Sequence, residues 1–291
     1  MTTIGVDFAS VDHNGAIDFS AAKNAGARFA IPRAVFGRPL VQGSTSPFLD
    51  PVWGLNKNKI EDAGLRRSAY LYVCYAQQDG RTPPPEEQAD AFTSYVNLTP
   101  FKDMVPFFDV EQESNVLSPA EMYEWTLRVA KRLRAHYGAW PGMYTSARVW
   151  ADNLAHHSPG PLLACPLWLA KPWPWPEKTP VHLDGAPSYS PVTIPEWGSS
   201  WALYQYQGDA TGWPGFISTV DANRARVFGK GSKGAHVVWT QNRLGIAADG
   251  IFGDNTEDAV KMLQQKHKLT PDGIVGLDTF TMLSWSNPAP A

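Results

Sequence analysis

The sequence predicts an α/β fold: an irregular (β/α) barrel whose last strands are joined by loops, followed by a small helical unit. Three observations carry that reading. Eight short apolar runs alternate with helical patterns over the first 228 residues, as parallel strands joined by crossovers do. The helical period then fades over 171–200, which is rich in Pro, Trp and Ser. Finally, Gly229-Lys230-Gly231-Ser232-Lys233-Gly234, with three glycines and no apolar residue, has a flexible linker's composition and sets a boundary. The expected organisation is a barrel over 1–228, a linker over 229–234 and a second domain over 235–291. The whole chain, at 291 residues, exceeds one ordinary domain.

Taken in order, the expected strands are Thr3–Phe8, Arg28–Arg33, Ala69–Tyr75, Met104–Val110, Gly142–Thr145, Leu167–Ala170, Ala202–Tyr206 and Ile217–Val220. Helical patterns fall over Asp18–Ala25, Val52–Ala63, Pro85–Val96 and Ser118–Tyr137. Eight runs in a domain of this size favour closure. The rival, a doubly wound open sheet, lacks the Gly-rich phosphate loop that would support it.

Beyond the boundary an eight-residue motif occurs twice at a spacing of 23: Asp249-Gly250-Ile251-Phe252-Gly253-Asp254-Asn255-Thr256 and Asp272-Gly273-Ile274-Val275-Gly276-Leu277-Asp278-Thr279, identical at five of eight positions. Each Asp-Gly supplies a turn, the second Gly permits close approach or positive φ, and an Asp or Thr is available to cap the next helix. A helix is expected over about Thr256–His267 with Ala259, Val260 and Leu263 as its stripe, and another around Phe280, Leu283 and Trp285.

Several function classes find no support. The net charge is −3, so nucleic-acid binding is not expected. No apolar stretch reaches the length of a membrane span and the N-terminus has no secretory pattern, so membrane insertion and a signal peptide are not expected. Cys74 and Cys165 lie in apolar runs and read as buried thiols, with a bridge between them left open by spacing. The His156-His157 pair has no second ligand pair and reads as a helix end.

Aromatic usage departs from the ordinary, with 12 Trp, 10 Tyr and 13 Phe. Trp168, Trp173, Trp175, Trp197, Trp201 and Trp213 crowd one third of the chain. Any one Trp reads first as core. A cluster in Pro-rich sequence is harder to bury together, and a groove lined by aromatic faces suits the C–H faces of sugar rings.

Barrel chemistry lies at the C-terminal ends of the strands, so acids ending apolar runs are the residues to examine. Asp7 ends the first run, Asp109 and Glu111 the fourth, and Asp221 follows the eighth. Closure makes the first and last strands neighbours, which brings Asp7 and Asp221 together. In Asp109-Val110-Glu111 the two acids project to one side, with Cα atoms about 6.5 Å apart. Mutual repulsion, with desolvation by Phe107 and Phe108, should hold a proton on one of them near neutrality. An acid beside a base is what glycosidic hydrolysis requires. The bland alternative is a solvated strand end.

Gly5-Val6-Asp7-Phe8-Ala9-Ser10, Ile17-Asp18-Phe19, Ala25-Gly26-Ala27-Arg28-Phe29-Ala30, Asp109-x-Glu111, Met143-Tyr144-Thr145, Leu167-Trp168-Leu169-Ala170, Tyr204-Gln205-Tyr206 and Asp221-Ala222-Asn223 occur in order over residues 4–228. This set resembles glycoside hydrolase family 25, lysozymes of the N-acetylmuramidase type. The resemblance implies Glu111 as proton donor, Asp109 as the partner that polarises the 2-acetamido group or supports developing charge, and Asp7 and Asp221 as the remaining cleft acids. It implies Tyr144, Trp168, Gln205 and Tyr206 as substrate contacts, with strand packing as their alternative. Both the substrate's N-acetyl oxygen and a carboxylate stay open as the nucleophile. Two departures leave the acids in place: Phe8-Ala9-Ser10 stands where the family has Val or Ile and then Ser, and Arg33-Ala34-Val35-Phe36 replaces Lys-Ala-Thr-Glu.

Residues 235–285 likewise resemble the type 1 peptidoglycan-binding domain, a three-helix unit, through the doubled Asp-Gly-Ile-x-Gly-x-x-Thr signature. Together the two resemblances imply cleavage of the β-1,4 bond between N-acetylmuramic acid and N-acetylglucosamine in bacterial peptidoglycan, with no metal or cofactor. They also imply a monomer resembling a bacteriophage endolysin, made in the host cytoplasm and acting on the wall after release. The alternatives are a non-catalytic wall-binding protein and a chitinase. The chitinase Asp-x-x-Asp-x-Asp-x-Glu pattern is absent, since Met104 occupies its first, upstream Asp position.

Overall fold

The computed structural model describes residues 3–10, 16–40, 43–154, 160–170, 179–184, 193–198 and 200–286. His156, His157, Trp173 and Trp175 lie outside the described residues. In chain order the elements are β1 Thr3–Phe8, α1 Phe19–Asn24, β2 Ala27–Phe36, β3 Phe48–Leu49, α2 Pro51–Asp62, β4 Arg66–Arg67, β5 Tyr70–Tyr72, α3 Pro85–Tyr95, β6 Phe107–Asp109, α4 Pro119–Tyr137, β7 Gly142–Thr145, α5 Ala147–Asn153, β8 Leu167–Ala170, β9 Leu203–Ala210, β10 Val220–Ala225, α6 Ala235–Leu244, α7 Asp254–Lys266 and α8 Leu277–Trp285.

Eight strands close a ring in the order β1-β2-β5-β6-β7-β8-β9-β10, with β10 pairing back onto β1. The short β3 and β4 add to β2. Pairings from β1 through β9 round the ring are parallel, whereas β10 runs antiparallel to both β9 and β1. The expected eighth strand is therefore corrected. Ile217 is 77% exposed, and the strand begins at Val220, where the expected one ended. Asp221 reaches the barrel mouth from the start of an antiparallel strand, in register with Asp7.

Local sequence explains the crossovers. Ser118 accepts from the Glu121 backbone N–H while the Glu121 side chain accepts from the Ser118 backbone, Pro119 opens α4, and Gly138 closes it at φ 72. The stripe Met122, Leu127, Ala130 and Leu133 then packs against the strands. Inside the ring, Phe29 and Phe107 lie across their neighbouring strands. A Cβ at Gly5 would overlap the Phe29 ring, and one at Gly142 the Phe107 ring. Both cysteines are free and buried. Trp168, Trp197 and Trp213 are buried, Trp197 in edge contact with Trp150, so three of the crowded tryptophans are buried after all.

The C-terminal helices follow the repeat, but its Asp and Thr do not cap them; Gly253 and Gly276 occupy the cap positions, with no side-chain cap bond. Instead one buried Gln gathers each copy. Gln241 donates to Asp249 at 2.7 Å, Thr256 at 3.0 Å and the Ile251 carbonyl at 3.1 Å, and accepts from Gly250 N–H at 2.9 Å. Gln264 makes the same four bonds to Asp272, Thr279, Ile274 and Gly273. A buried amide needs such partners, so the repeated polar residues serve it instead of the helix ends. Positive φ falls on Gly250 and Gly273, and the second glycines are extended.

The module lies against the barrel end where the parallel strands begin. Leu277 joins the cluster inside the ring and Trp285 the one outside it. Trp285 Nε1 donates to the Asp103 carbonyl at 2.7 Å, and Arg66 pairs with Asp278 at 2.7 Å. Residues 229–234, expected as a linker, bond into the module: Gly231 N–H to the Phe252 carbonyl and Gly234 N–H to the Gly250 carbonyl, both 2.9 Å, with Lys230 paired to Asp254.

Candidate active site

At the opposite end, the C-terminal ends of the parallel strands surround a cavity of about 180 Å³. Alternation along the strands decides what faces it. Asp7 ends β1, Arg33 and Tyr72 come from β2 and β5, Asp109 ends β6, and Tyr144, Trp168 and Gln205 follow on β7, β8 and β9. Asp221 closes the circle, and Glu111, two residues beyond Asp109, stands at the mouth. All four expected acids therefore share one cavity.

A hydrogen-bond chain fixes two of them. Gln205 Nε2 donates to Asp7 at 3.2 Å and to Asp221 at 3.0 Å, while its carbonyl accepts from the Tyr144 hydroxyl at 2.7 Å. Asn223 donates to Asp7 at 2.7 Å and accepts from Trp168 Nε1 at 2.8 Å. The backbone N–H of Asp209 donates to Asp221 at 2.8 Å. Three expected contact residues thus line the cavity: Gln205 holds two acids directly, while Tyr144 and Trp168 act on them through Gln205 and Asn223. Tyr206 is a correction. It points to the other face of β9, is 2% exposed, and donates its hydroxyl to the His182 carbonyl, because consecutive strand residues face opposite ways.

Asp109 and Glu111 differ in surroundings. Asp109 is buried, and its Oδ1 has no hydrogen-bond partner. Burial pushes its carboxyl well above the ordinary range, and the negative charges of Glu111 and Asp7 push it further; Arg33 opposes. Glu111 is also raised by burial, against a hydrogen bond from the Tyr72 phenol and the Arg33 charge that both lower it. Its side chain is reachable by solvent yet set among dense neighbours, as befits the lip of a concave site. Two coupled acids, both displaced toward protonation, retain a proton at a pH where isolated carboxyls have lost theirs. The phenols of Tyr70, Tyr72 and Tyr144 are held neutral by burial and by these carboxylates, so they remain donors.

Sequence reasoning missed Arg33, Tyr70 and Tyr72 as cavity residues. Arg33 is buried and held by Asp50, with Nε and Nη2 both 2.8 Å from Oδ2. Asp50, fully buried, also caps α2 through Val52 N–H at 3.0 Å and accepts from Ser10 N–H at 3.2 Å. The available signal was a cation inside the apolar run Ala27–Phe36, and for the tyrosines the i, i+2 spacing. Asn223 was in the quoted motif without a role; it shares a face with Asp221 by the same spacing.

A closed barrel presenting four acids, one fixed cation and an aromatic floor at its strand ends defines a glycoside hydrolase. Residues 6–213 match the family described as Glycosyl hydrolases family 25, and residues 239–283 match one described as Putative peptidoglycan binding domain. The chain belongs to glycosyl hydrolases family 25. Among solved structures it is similar to a bacterial lysozyme from Streptomyces coelicolor, at 22% identity and TM-score 0.59 over 78% of this chain and 93% of that one. It is similar to a family 25 glycosyl hydrolase from Bacillus anthracis, at 20% and 0.57 over 77% and 88%. The catalytic domain of endolysin ply40 from bacteriophage P40 of Listeria monocytogenes gives 15% and 0.54 over 78% and 94%. At these identities the likeness concerns the fold. No curated protein matches the chain.

Proposed function

We propose that this hydrolase cuts the β-1,4 bond between N-acetylmuramic acid and N-acetylglucosamine of peptidoglycan. The observation that carries the reading is the Asp109–Glu111 pair, displaced toward protonation at the mouth of a cavity whose other acids are fixed. Glu111, at the lip, gives its proton to the leaving oxygen. Asp109, beneath it, polarises the acetamido group or supports the positive charge that develops on the sugar. Asp7 and Asp221, oriented by Gln205 and Asn223, add negative potential around the sugar ring. Tyr144 and Trp168 form the floor.

Residues 1–228 act in this reading as the hydrolytic unit and 235–291 as the unit that keeps it on the wall, joined through 229–234. A second attachment raises local substrate concentration. A hydrolase paired with such a unit fits an endolysin that reaches the wall after release, acting as a monomer. Mass spectrometry of products from purified peptidoglycan tests the reading. New reducing-end N-acetylmuramic acid is expected; reducing-end N-acetylglucosamine would exclude a muramidase, and no product from folded protein would leave a wall-binding role.

A further inference from the structure

A second and larger cavity, about 680 Å³, opens outside the ring where the barrel and the C-terminal module meet. It is lined from both units: Trp140 and Trp201 from the barrel, Trp239 from α6 of the module. A junction that served only to join them would fill this space at crystal-like density.

Its electrostatics are one-sided. Arg134, Arg226 and Arg243 all line it, and among the described residues none has a carboxylate within ion-pair distance. Arg134 lies 4.4 Å over the Trp140 ring and Arg226 4.4 Å over Trp201. Arg243 donates to the Ala164 and Ser286 carbonyls, so its charge is held at the seam. Burial draws Arg226 and Arg243 down to about 10, a mark of desolvated cations without a neutralising anion. One carboxylate, Glu196, lines the cavity, and its Oε2 is buried without a hydrogen-bond partner, as is Trp239 Nε1.

We infer that this junction is a second binding site, for a carboxylate-bearing muramoyl peptide of peptidoglycan. The guanidiniums meet carboxylates, the unpartnered indole N–H and Glu196 oxygen meet the carbonyl and N–H of amides, and the indole faces meet the apolar side of a sugar or side chain. An uncharged glycan would leave the two desolvated cations, Arg226 and Arg243, without an anion, so the anionic peptide is the selected feature. The volume lies within the range of small-molecule sites. The inference rests on peptidoglycan being the substrate. It adds that the wall is held at the seam of both units, away from the cleaving mouth.

The test uses the full-length Glu111→Gln protein and a diazirine derivative of N-acetylmuramoyl-L-alanyl-D-glutamate, with labelled peptides located by mass spectrometry. Label is expected in segments 134–140, 196–202 and 226–243, displaced by the unmodified dipeptide and not by N-acetylchitotetraose. Arg134→Gln, an exposed position, should weaken binding there at least tenfold, and adding Arg226→Gln should weaken it further; if the double variant does not fold, the single one decides. Label confined to segments 70–72, 109–111 and 144–168, equal displacement by chitotetraose, or unchanged affinity in Arg134→Gln each overturn the inference. Wild-type release of muramic acid reducing ends is scored separately: its presence without junction label overturns this site alone, its absence overturns the substrate reading.

Discussion

Truncating Trp285 to Ala tests whether the C-terminal helices are a detachable tail or part of the barrel's cooperative unit. The side chain is 6% exposed, packs edge-on to Tyr137 at 6.3 Å, and donates Nε1 to the Asp103 carbonyl at 2.7 Å. Deleting a buried Trp costs about 3–5 kcal/mol, and the lost hydrogen bond about 1 kcal/mol within that range. At roughly 2 °C per kcal/mol for a chain of this length, the melting temperature should fall by about 6–10 °C. Calorimetry should show one transition in both proteins, moved down in the variant. Two separated transitions, with the barrel's transition unmoved in Trp285→Ala, would refute the packing argument. By the same logic, deleting 229–291 bares the apolar surface under Leu277 and Trp285, so loss of activity on truncation would report barrel stability as well as tethering.

Other perturbations address the site. Glu111→Gln keeps shape and removes the acid; wall hydrolysis should drop about 10²–10⁴-fold with wall binding intact, and parental turnover would exclude Glu111 as the donor. Tyr72→Phe removes the hydrogen bond that lowers Glu111, so Glu111 should keep its proton to higher pH and the alkaline limb of kcat/KM should move upward; a downward move contradicts the assignment. In the module, Gln241→Ala and Gln264→Ala each strip four matching hydrogen bonds from a turn. Each should cost about 1–3 kcal/mol in chemical denaturation, and a large cost for one with none for the other would contradict their equivalence.

The acids at 7, 109, 111 and 221 were legible because each sits at an edge between an apolar run and polar sequence, a one-dimensional signal. Tyr206 was not separable from Gln205, since both lie in the same strand and only the ring's inside face distinguishes them. Arg33 was obscured for a related reason: its partner Asp50 comes from a helix cap seventeen residues away, which spacing does not announce. The repeat at 249–256 and 272–279 was plain, but its polar residues were assigned to helix caps because the buried glutamine they serve lies outside the eight-residue motif.

Periodicity and turn chemistry are local, and they by themselves determined seven of the eight ring strands, the crossover helices up to Tyr137, the doubled turn and the acids at the ends of the first and fourth runs. Strand direction at the seam, the sharing of one cavity by four acids, and the fusion of the module to the barrel's far end belong to closure. Those depend on residues up to 216 positions apart meeting, as Asn223 and Asp7 do, and on burial that no single segment can supply.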